Sequence, residues 1–88
     1  MDETKKMAAV AHALSDPTRL EIVEMIKRQN DICACHIQAG LNLSQPKASY
    51  HVKILVDAGL VRRSVRGTWS HYSLVDAGRV ERLLDALR

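Results

Sequence analysis

The sequence contains no phenylalanine, and aromatic residues occupy only 3% of its 88 positions. A buried core must therefore be built from aliphatic side chains, which suits packed helices rich in Leu, Ile, Val and Ala. Hydrophobic residues make up 47% of the chain, a fraction that excludes a wholly disordered polymer. We expect one domain over residues 1–88, with a modest core that association with a second copy would enlarge.

An apolar run long enough to cross a membrane is also missing, and no secretory signal pattern follows Met1. The two cysteines, Cys33 and Cys35, lie two positions apart, unlike the framework of a disulfide-rich secreted protein. A thiol oxidoreductase would need Cys-x-x-Cys at the start of a helix, and no set of nucleophile, base and orienting group can be assembled. The sequence therefore predicts a cytoplasmic protein that is not an enzyme.

Positive charge is concentrated in one part of the chain. The formal net charge of +3 does not by itself indicate a nucleic-acid partner. Between Ser44 and Tyr72, however, the sequence has five basic residues and only one acidic residue. Such a patch is typical of a DNA-binding face, although an unevenly charged solvated surface would have the same composition. The residues concerned are Lys47, Lys53, Arg62, Arg63 and Arg66, with Asp57 as the acidic one.

Apolar periodicity and capping residues together predict the secondary structure. Asp16 and Ser44 are good helix caps, and Gly40 is expected to stop a short helix because glycine accepts a left-handed conformation. The predicted elements are helices over Thr4–Leu14, from Pro17 into the polar stretch Lys27–Asp31, over Cys33–Ala39, from Ser44 to about Ala58 and from Asp76 onwards, with strands over Leu60–Arg66 and Trp69–Val75.

This order, α-α-α-α-β-β-α, defines a mainly α fold with a small β-hairpin. A short helix, a tight turn and a capped helix form a helix-turn-helix, and the hairpin that follows is its wing. The fold class is therefore a winged helix-turn-helix.

The fourth helix is the candidate recognition helix, because it presents hydrogen-bonding and basic side chains opposite the stripe of Ala48, Val52 and Leu55, which is expected to face the core. The hairpin adds arginines, of which Arg66 at the tip is best placed to reach a minor groove or phosphate, while Trp69 is expected to brace the hairpin. An ordinary amphipathic helix, or a winged helix that binds protein, is the alternative. The candidate DNA-binding residues are Gln45, Lys47, Ser49, Tyr50, His51, Lys53, Arg62, Arg63 and Arg66.

Three segments in the right order resemble the ArsR/SmtB family of metalloregulators. They are Ala13-Leu14-Ser15-Asp16-Pro17-Thr18-Arg19-Leu20, the run from Leu43 to His51, and Gly59-Leu60-Val61 with Arg66-Gly67-Thr68-Trp69-Ser70-His71-Tyr72-Ser73-Leu74. The resemblance covers nearly the whole chain. It implies a homodimeric repressor that binds double-stranded DNA at an inverted-repeat operator and releases it when a ligand binds.

The resemblance also implies that the first and last helices hold the dimer together. Both helices have an apolar stripe at helical spacing, which agrees independently. The expected interface residues are Met7, Val10, Leu14, Val80, Leu83, Leu84 and Leu87.

Cys33 and Cys35 resemble the family's Cys-x-Cys motif, which members use to sense arsenite, antimonite, cadmium or lead. Thiolates are soft ligands that favour such ions. Residues i and i+2 of a regular helix point about 200° apart, so either Cys33 precedes the helix or a bound ion distorts its first turn. A third donor is open, because Gln38 stands where several relatives have a cysteine.

His36 is an additional candidate donor, and His12 of a partner chain, a water molecule or no group at all are the alternatives. As(III) or Sb(III) is the first expectation for the inducer and Cd(II) or Pb(II) the second; DNA binding itself requires no cofactor. The cysteines could instead form a redox switch, which the expected strain of an i, i+2 disulfide disfavours, or simply fill space as small buried hydrophobes. A zinc site at the dimer interface is not expected, since the last helix has Asp76 and Glu81 but no histidine.

Overall fold

The structure, a computed structural model, describes residues 2–88. These residues form five helices and three short strands, and the predicted order of helices, turn, hairpin and final helix is present. Among residues 2–88, no helix has the length and apolar content to span a bilayer. The elements are α1 (Glu3–Ala13), α2 (Pro17–Gln29), β1 (Ile32–Cys33), α3 (Ala34–Leu41), α4 (Gln45–Asp57), β2 (Val61–Arg66), β3 (Trp69–Leu74) and α5 (Ala77–Leu87).

Side chains cap the helices where the sequence predicted them to. Asp16 accepts a hydrogen bond from the backbone N–H of Arg19 at 3.2 Å, and Ser44 accepts one from Lys47 at 3.3 Å. Asp76 does the same at the start of α5. Each cap satisfies an N–H group that has no partner within its helix, and so fixes where that helix begins.

The core is aliphatic, as the lack of phenylalanine required. Ile22, Ile26, Ile37 and Leu55 are fully buried at the junction of α2, α3 and α4, and Tyr72 is the one aromatic residue in the described core. An ion pair links α5 to α2: Lys27 hydrogen-bonds to Glu81 and thereby lowers the pKa of that carboxyl below its ordinary value.

The first strand, β1, was missed by sequence reasoning. It has two residues, too few to show the alternation that identifies a strand, and its partner β3 lies some forty positions further on. Ile32 pairs with Tyr72 and Cys33 with His71, which makes a three-stranded antiparallel sheet in the order β1-β3-β2. The predicted two-stranded hairpin is therefore the larger part of a sheet that reaches back to the cysteines.

The predicted bounds of the third helix were wrong at both ends. Cys33 lies outside the helix as its N-cap, and Gly40 lies inside it rather than ending it. The helix ends at Leu41 and is capped by Asn42, whose φ of 53° is left-handed, a conformation that asparagine tolerates better than most residues. Gly40 instead gives room to Met25, because a Cβ at position 40 would come within 2.7 Å of the Met25 side-chain methyl.

Arg19 is a buried charged residue that connects three helices. Its Nε donates to the carbonyl of Ala13 at 2.9 Å and its Nη2 to that of His12 at 3.1 Å, at the C-terminal end of α1. Its Nη1 lies 3.1 Å from Nδ1 of His51 in α4. A guanidinium can only donate, so the ring nitrogen of His51 accepts. The residue is 5% exposed, and these acceptors offset the loss of hydration.

We predict that Arg19→Met lowers the free energy of unfolding by about 1–3 kcal/mol, because it leaves the Ala13 carbonyl and the His51 ring nitrogen buried without a donor. Urea unfolding followed by circular dichroism measures the change. Arg28→Met, at an exposed position of the same helix, is the matched control. Equal stability of the two variants would contradict the prediction.

Candidate nucleic-acid interface and cysteine pair

The outer face of α4 is polar and exposed. Ala48, Val52 and Leu55 are buried against the core, as predicted. The opposite side presents the amide, hydroxyl and ammonium groups expected of a helix that enters a major groove. Its exposed side chains are those of Gln45, Lys47, Ser49, Tyr50 and Lys53.

Two contacts pre-arrange this face. The amide Nε2 of Gln45 donates to the hydroxyl of Ser49 at 3.0 Å, which places both groups on one side of the helix. The ammonium of Lys53 lies 2.7 Å from the carboxylate of Asp57, one turn further on. Lys53 is thus held by an acidic neighbour on its own helix, whereas the Gln45–Ser49 pair is turned outward.

His51 is the exception among the candidate DNA-binding residues of α4. Its side chain is only 13% exposed, its Nδ1 faces the Arg19 guanidinium, and Asp16 lies 3.9 Å away. These contacts turn the ring towards α2, away from the outer face that carries Gln45 and Ser49. The ring therefore joins α4 to α2 through Nδ1, and a contact between His51 and DNA stays a prediction.

The three hairpin arginines lie on different faces of the sheet. Arg63 faces α4 and donates from Nε to the hydroxyl of Ser70 at 3.1 Å. Together with Ser49 and Lys53 it lines a groove of about 340 Å³ between α4 and the hairpin. Arg62 and Arg66 lie on the other face, since strand residues alternate.

The hairpin tip has one contact that the sequence did not indicate. Arg66 forms an ion pair with Asp31, which lies just before β1, and its side chain remains 61% exposed, so its contact with DNA stays a prediction. Trp69 pairs with Arg66 across the two strands and is 58% exposed, and its bracing role stays a prediction too. No local pattern reveals the partner of Arg66, because it is 35 residues away along the chain.

The cysteine pair lies at the junction of β1 and α3. Cys33 has extended backbone angles as the N-cap of α3, and its sulfur accepts from the N–H of Cys35 at 3.3 Å. Of the two geometries that the sequence left open, Cys33 therefore precedes the helix. The two sulfur atoms meet and are joined as a disulfide, with a Cα–Cα distance of 5.2 Å.

The remaining predicted donor is not at this junction in a metal-binding arrangement. His36 is exposed on α3. Within residues 2–88, no three His, Cys, Asp or Glu side chains are grouped so that they could hold a metal ion. The described protomer thus offers two sulfur atoms that come together at one point and leaves a third donor unassigned.

An apolar groove of about 470 Å³ runs between α1 and α5. Met7 and Leu87 stand beside it with 59% and 61% of their surfaces exposed, whereas Val80 and Leu84 are buried in the protomer's own core. Of the seven residues expected at a dimer interface, the groove is lined by Met7, Val10, Leu14, Leu83 and Leu87.

A short helix, a turn, a capped helix with a polar outer face and a basic hairpin define a winged helix-turn-helix of the DNA-binding class. The family described as bacterial regulatory protein, arsR family, matches residues 16–63, which span α2 to the start of the hairpin. The chain belongs to the ArsR family of transcriptional regulators.

Relatives and solved structures agree with this assignment. The arsenical resistance operon repressor of Bacillus subtilis is 41% identical over 81 residues, which cover 86% of this chain and 77% of that protein. HlyU from Vibrio cholerae is similar in structure, with a TM-score of 0.81, 26% identity and coverage of 99% and 97%. The homodimeric winged helix-turn-helix DNA-binding domain of a possible ArsR-family regulator from Mycobacterium bovis has the same fold, with a TM-score of 0.83, 23% identity and coverage of 96% and 79%.

We predict that Arg63→Ala lowers DNA affinity about tenfold, from the loss of roughly 1.5 kcal/mol for a hydrogen bond to a charged group. Arg63 shares its side of the sheet with α4, so a duplex in contact with the recognition helix is within its reach. Fluorescence anisotropy of a labelled duplex gives the affinity. Arg62→Ala is the matched control, one residue away on the other face, and an equal loss in the two variants would refute this assignment.

Proposed function

We propose that the protein is a homodimeric transcriptional repressor that leaves its operator when a thiophilic ion binds Cys33 and Cys35. The observation that carries this proposal is the meeting of both sulfur atoms at the N-terminus of α3, the helix that packs against the recognition helix α4. The names of arsenical resistance repressors among the relatives support it. Such a repressor acts in the cytoplasm, where its operator is.

DNA recognition in this proposal uses α4 and the hairpin. The Gln45–Ser49 pair is directed outward for base edges in the major groove, while Lys47, Lys53 and Arg63 neutralise phosphates. The capped N-terminus of α4 adds backbone N–H groups that favour a phosphate. An inverted-repeat operator follows from the two-fold symmetry of a dimer, which presents two recognition helices to two half-sites.

Dimerisation in this proposal uses the groove between α1 and α5. Exposed Met7 and Leu87 are large apolar side chains that a monomer leaves in water, and a second copy of the groove would cover them. The homodimeric domain from Mycobacterium bovis has the same fold and supports this arrangement.

Release from DNA follows from where the ion binds. Reduced Cys33 and Cys35 would hold a soft ion as two thiolates, with the third place open to His36 or to a group from outside the protomer. Closing both sulfurs on one ion would fix the cap of α3, and α3 is in contact with α4. The ion weakens DNA binding only as far as it prefers the conformation that does not bind.

The disulfide itself favours a second candidate function, a repressor controlled by oxidation of Cys33 and Cys35. In that case a two-electron oxidant of the disulfide class, rather than an ion, changes the cap of α3. The ion and the oxidant act on the same two sulfur atoms. Variants that lack both cysteines therefore test both candidate functions against a repressor that responds to neither signal.

We predict that one or more of As(III), Sb(III), Cd(II), Pb(II) and Zn(II) lowers the operator affinity of the reduced protein about 5- to 150-fold, the usual range of allosteric coupling. Anisotropy with a duplex selected from a random library measures this. The Cys33→Ser/Cys35→Ser protein is expected to bind DNA normally and ignore every ion, and His36→Ala shows whether this residue is the third donor. No response to any ion would overturn ion sensing; a response of the reduced chain to oxidised glutathione would then favour the second candidate.

We predict that Leu87→Glu and Met7→Glu make the protein monomeric at concentrations where the wild type is dimeric, because a charge in the apolar groove is costly to bury. Sedimentation velocity measures the change, and DNA affinity should fall about tenfold or more as the second half-site is lost. Val75→Glu is the control, since Val75 is also exposed but lies outside the groove. A Leu87→Glu protein that remains dimeric would place the interface elsewhere.

A further inference from the structure

The sheet joins the cysteine pair to the hairpin tip. Ile32 of β1 and its partner Tyr72 of β3 are buried, so the alternate residues Cys33 and His71 point to the opposite face. Residues paired in this way have Cβ atoms about 4.5–5.5 Å apart. Asp31 precedes this pair and lies two residues from Cys33, on the same side of the chain.

Asp31 holds the hairpin tip through a long-range ion pair. Its Oδ2 contacts Nη2 of Arg66, the last residue of β2. Its Oδ1 faces Nδ1 of His71 at 3.6 Å, and both of these atoms are buried without a hydrogen-bond partner in the described chain. The Asp31 side chain is 31% exposed and that of Arg66 61%, so the ion pair is open to solvent on the arginine side.

A carboxylate offers an arginine much the same pair of oxygens as a DNA phosphate does. Arg66 is the one proposed DNA-contacting arginine of the hairpin that meets an acidic side chain of its own chain in residues 2–88. Arg66 could therefore bind a phosphate only if its ion pair with Asp31 were broken.

We propose that Asp31 positions Arg66 and couples it to the cysteine pair: Asp31 occupies Arg66 in the absence of DNA, and the state of Cys33 sets how firmly it does so. The inference rests on the proposed function and adds the path by which a change at the cysteine pair reaches the hairpin that forms the wing. The route is short, since Ile32 alone separates Asp31 from Cys33 and is fixed in the core. A change in the cap of α3 therefore reaches Asp31 through β1 and, through His71, its partner strand.

A double-mutant cycle of Asp31→Asn and Arg66→Ala tests the proposal, with affinities for one selected duplex measured by anisotropy for the reduced and the disulfide form. In reduced protein, Asp31→Asn should tighten DNA binding about 2- to 5-fold, the scale of an exposed ion pair. This gain in affinity should vanish in the Arg66→Ala protein. It should persist in the Arg62→Ala protein, because Arg62 lies on the same face of the sheet as Arg66 but is not the proposed partner of Asp31. The Arg66→Ala arm also accounts for the general effect of removing a negative charge near DNA.

The second measurement compares the DNA affinities of the reduced form and the disulfide form. The ratio of DNA affinities between the reduced and disulfide forms should move towards one in Asp31→Asn and in Arg66→Ala. Weaker binding by Asp31→Asn, which a purely bracing ion pair would cause, overturns the proposal. An equal gain in the Arg66→Ala background, or a cysteine effect undiminished by Asp31→Asn, does so too. If the wild type binds no duplex, the proposed function itself fails.

Discussion

The placement of the recognition helix depends on one buried guanidinium. Arg19 reaches from α2 to the carbonyl end of α1 and to His51 of α4, so three helices are fixed relative to one another by donors that radiate from a single planar group. Burying a charge is costly unless its hydrogen bonds are made. An arrangement of these helices that leaves an acceptor out of reach is therefore penalised, and the orientation of α4 follows from this constraint as well as from apolar packing. Lysine, with a single charged centre, could not replace this fork.

The same fork explains why His51 differs from its neighbours in α4. The sequence places it on the flank of the polar face, beside residues that remain exposed. The structure turns its ring inward, because Nδ1 is an acceptor that the buried guanidinium needs. The contact that turns the ring inward comes from a partner 32 residues earlier in the chain, which no local pattern reveals.

Local signals predicted the elements well where the determining residue lies within the element. The caps at Asp16 and Ser44 and the buried stripe of α4 were correct for this reason. The errors involve distant partners: β1 forms because Ile32 pairs with Tyr72, and Gly40 lies inside α3, where the absence of a side chain leaves space for Met25. The cysteine pair shows both cases. Its motif was recognisable, but only the strand before α3 explains how two residues at i and i+2 bring their sulfur atoms together.

The arrangement of the hairpin arginines gives the wing two sides with different chemistry. Arg63 lies towards α4, with Ser70 as its hydrogen-bond partner, whereas Arg66 lies towards β1 and is paired with Asp31. The two residues lie on opposite faces of β2, so under the proposed function a change at β1 would reach the Arg66 side directly and the Arg63 side through the paired strands. A ligand at the cap of α3 would then act on DNA affinity through the wing as well as through the recognition helix. In this proposal the helix packing that Arg19 fixes is kept, and only the solvent-exposed ion pair between Arg66 and Asp31 is exchanged for a contact with DNA.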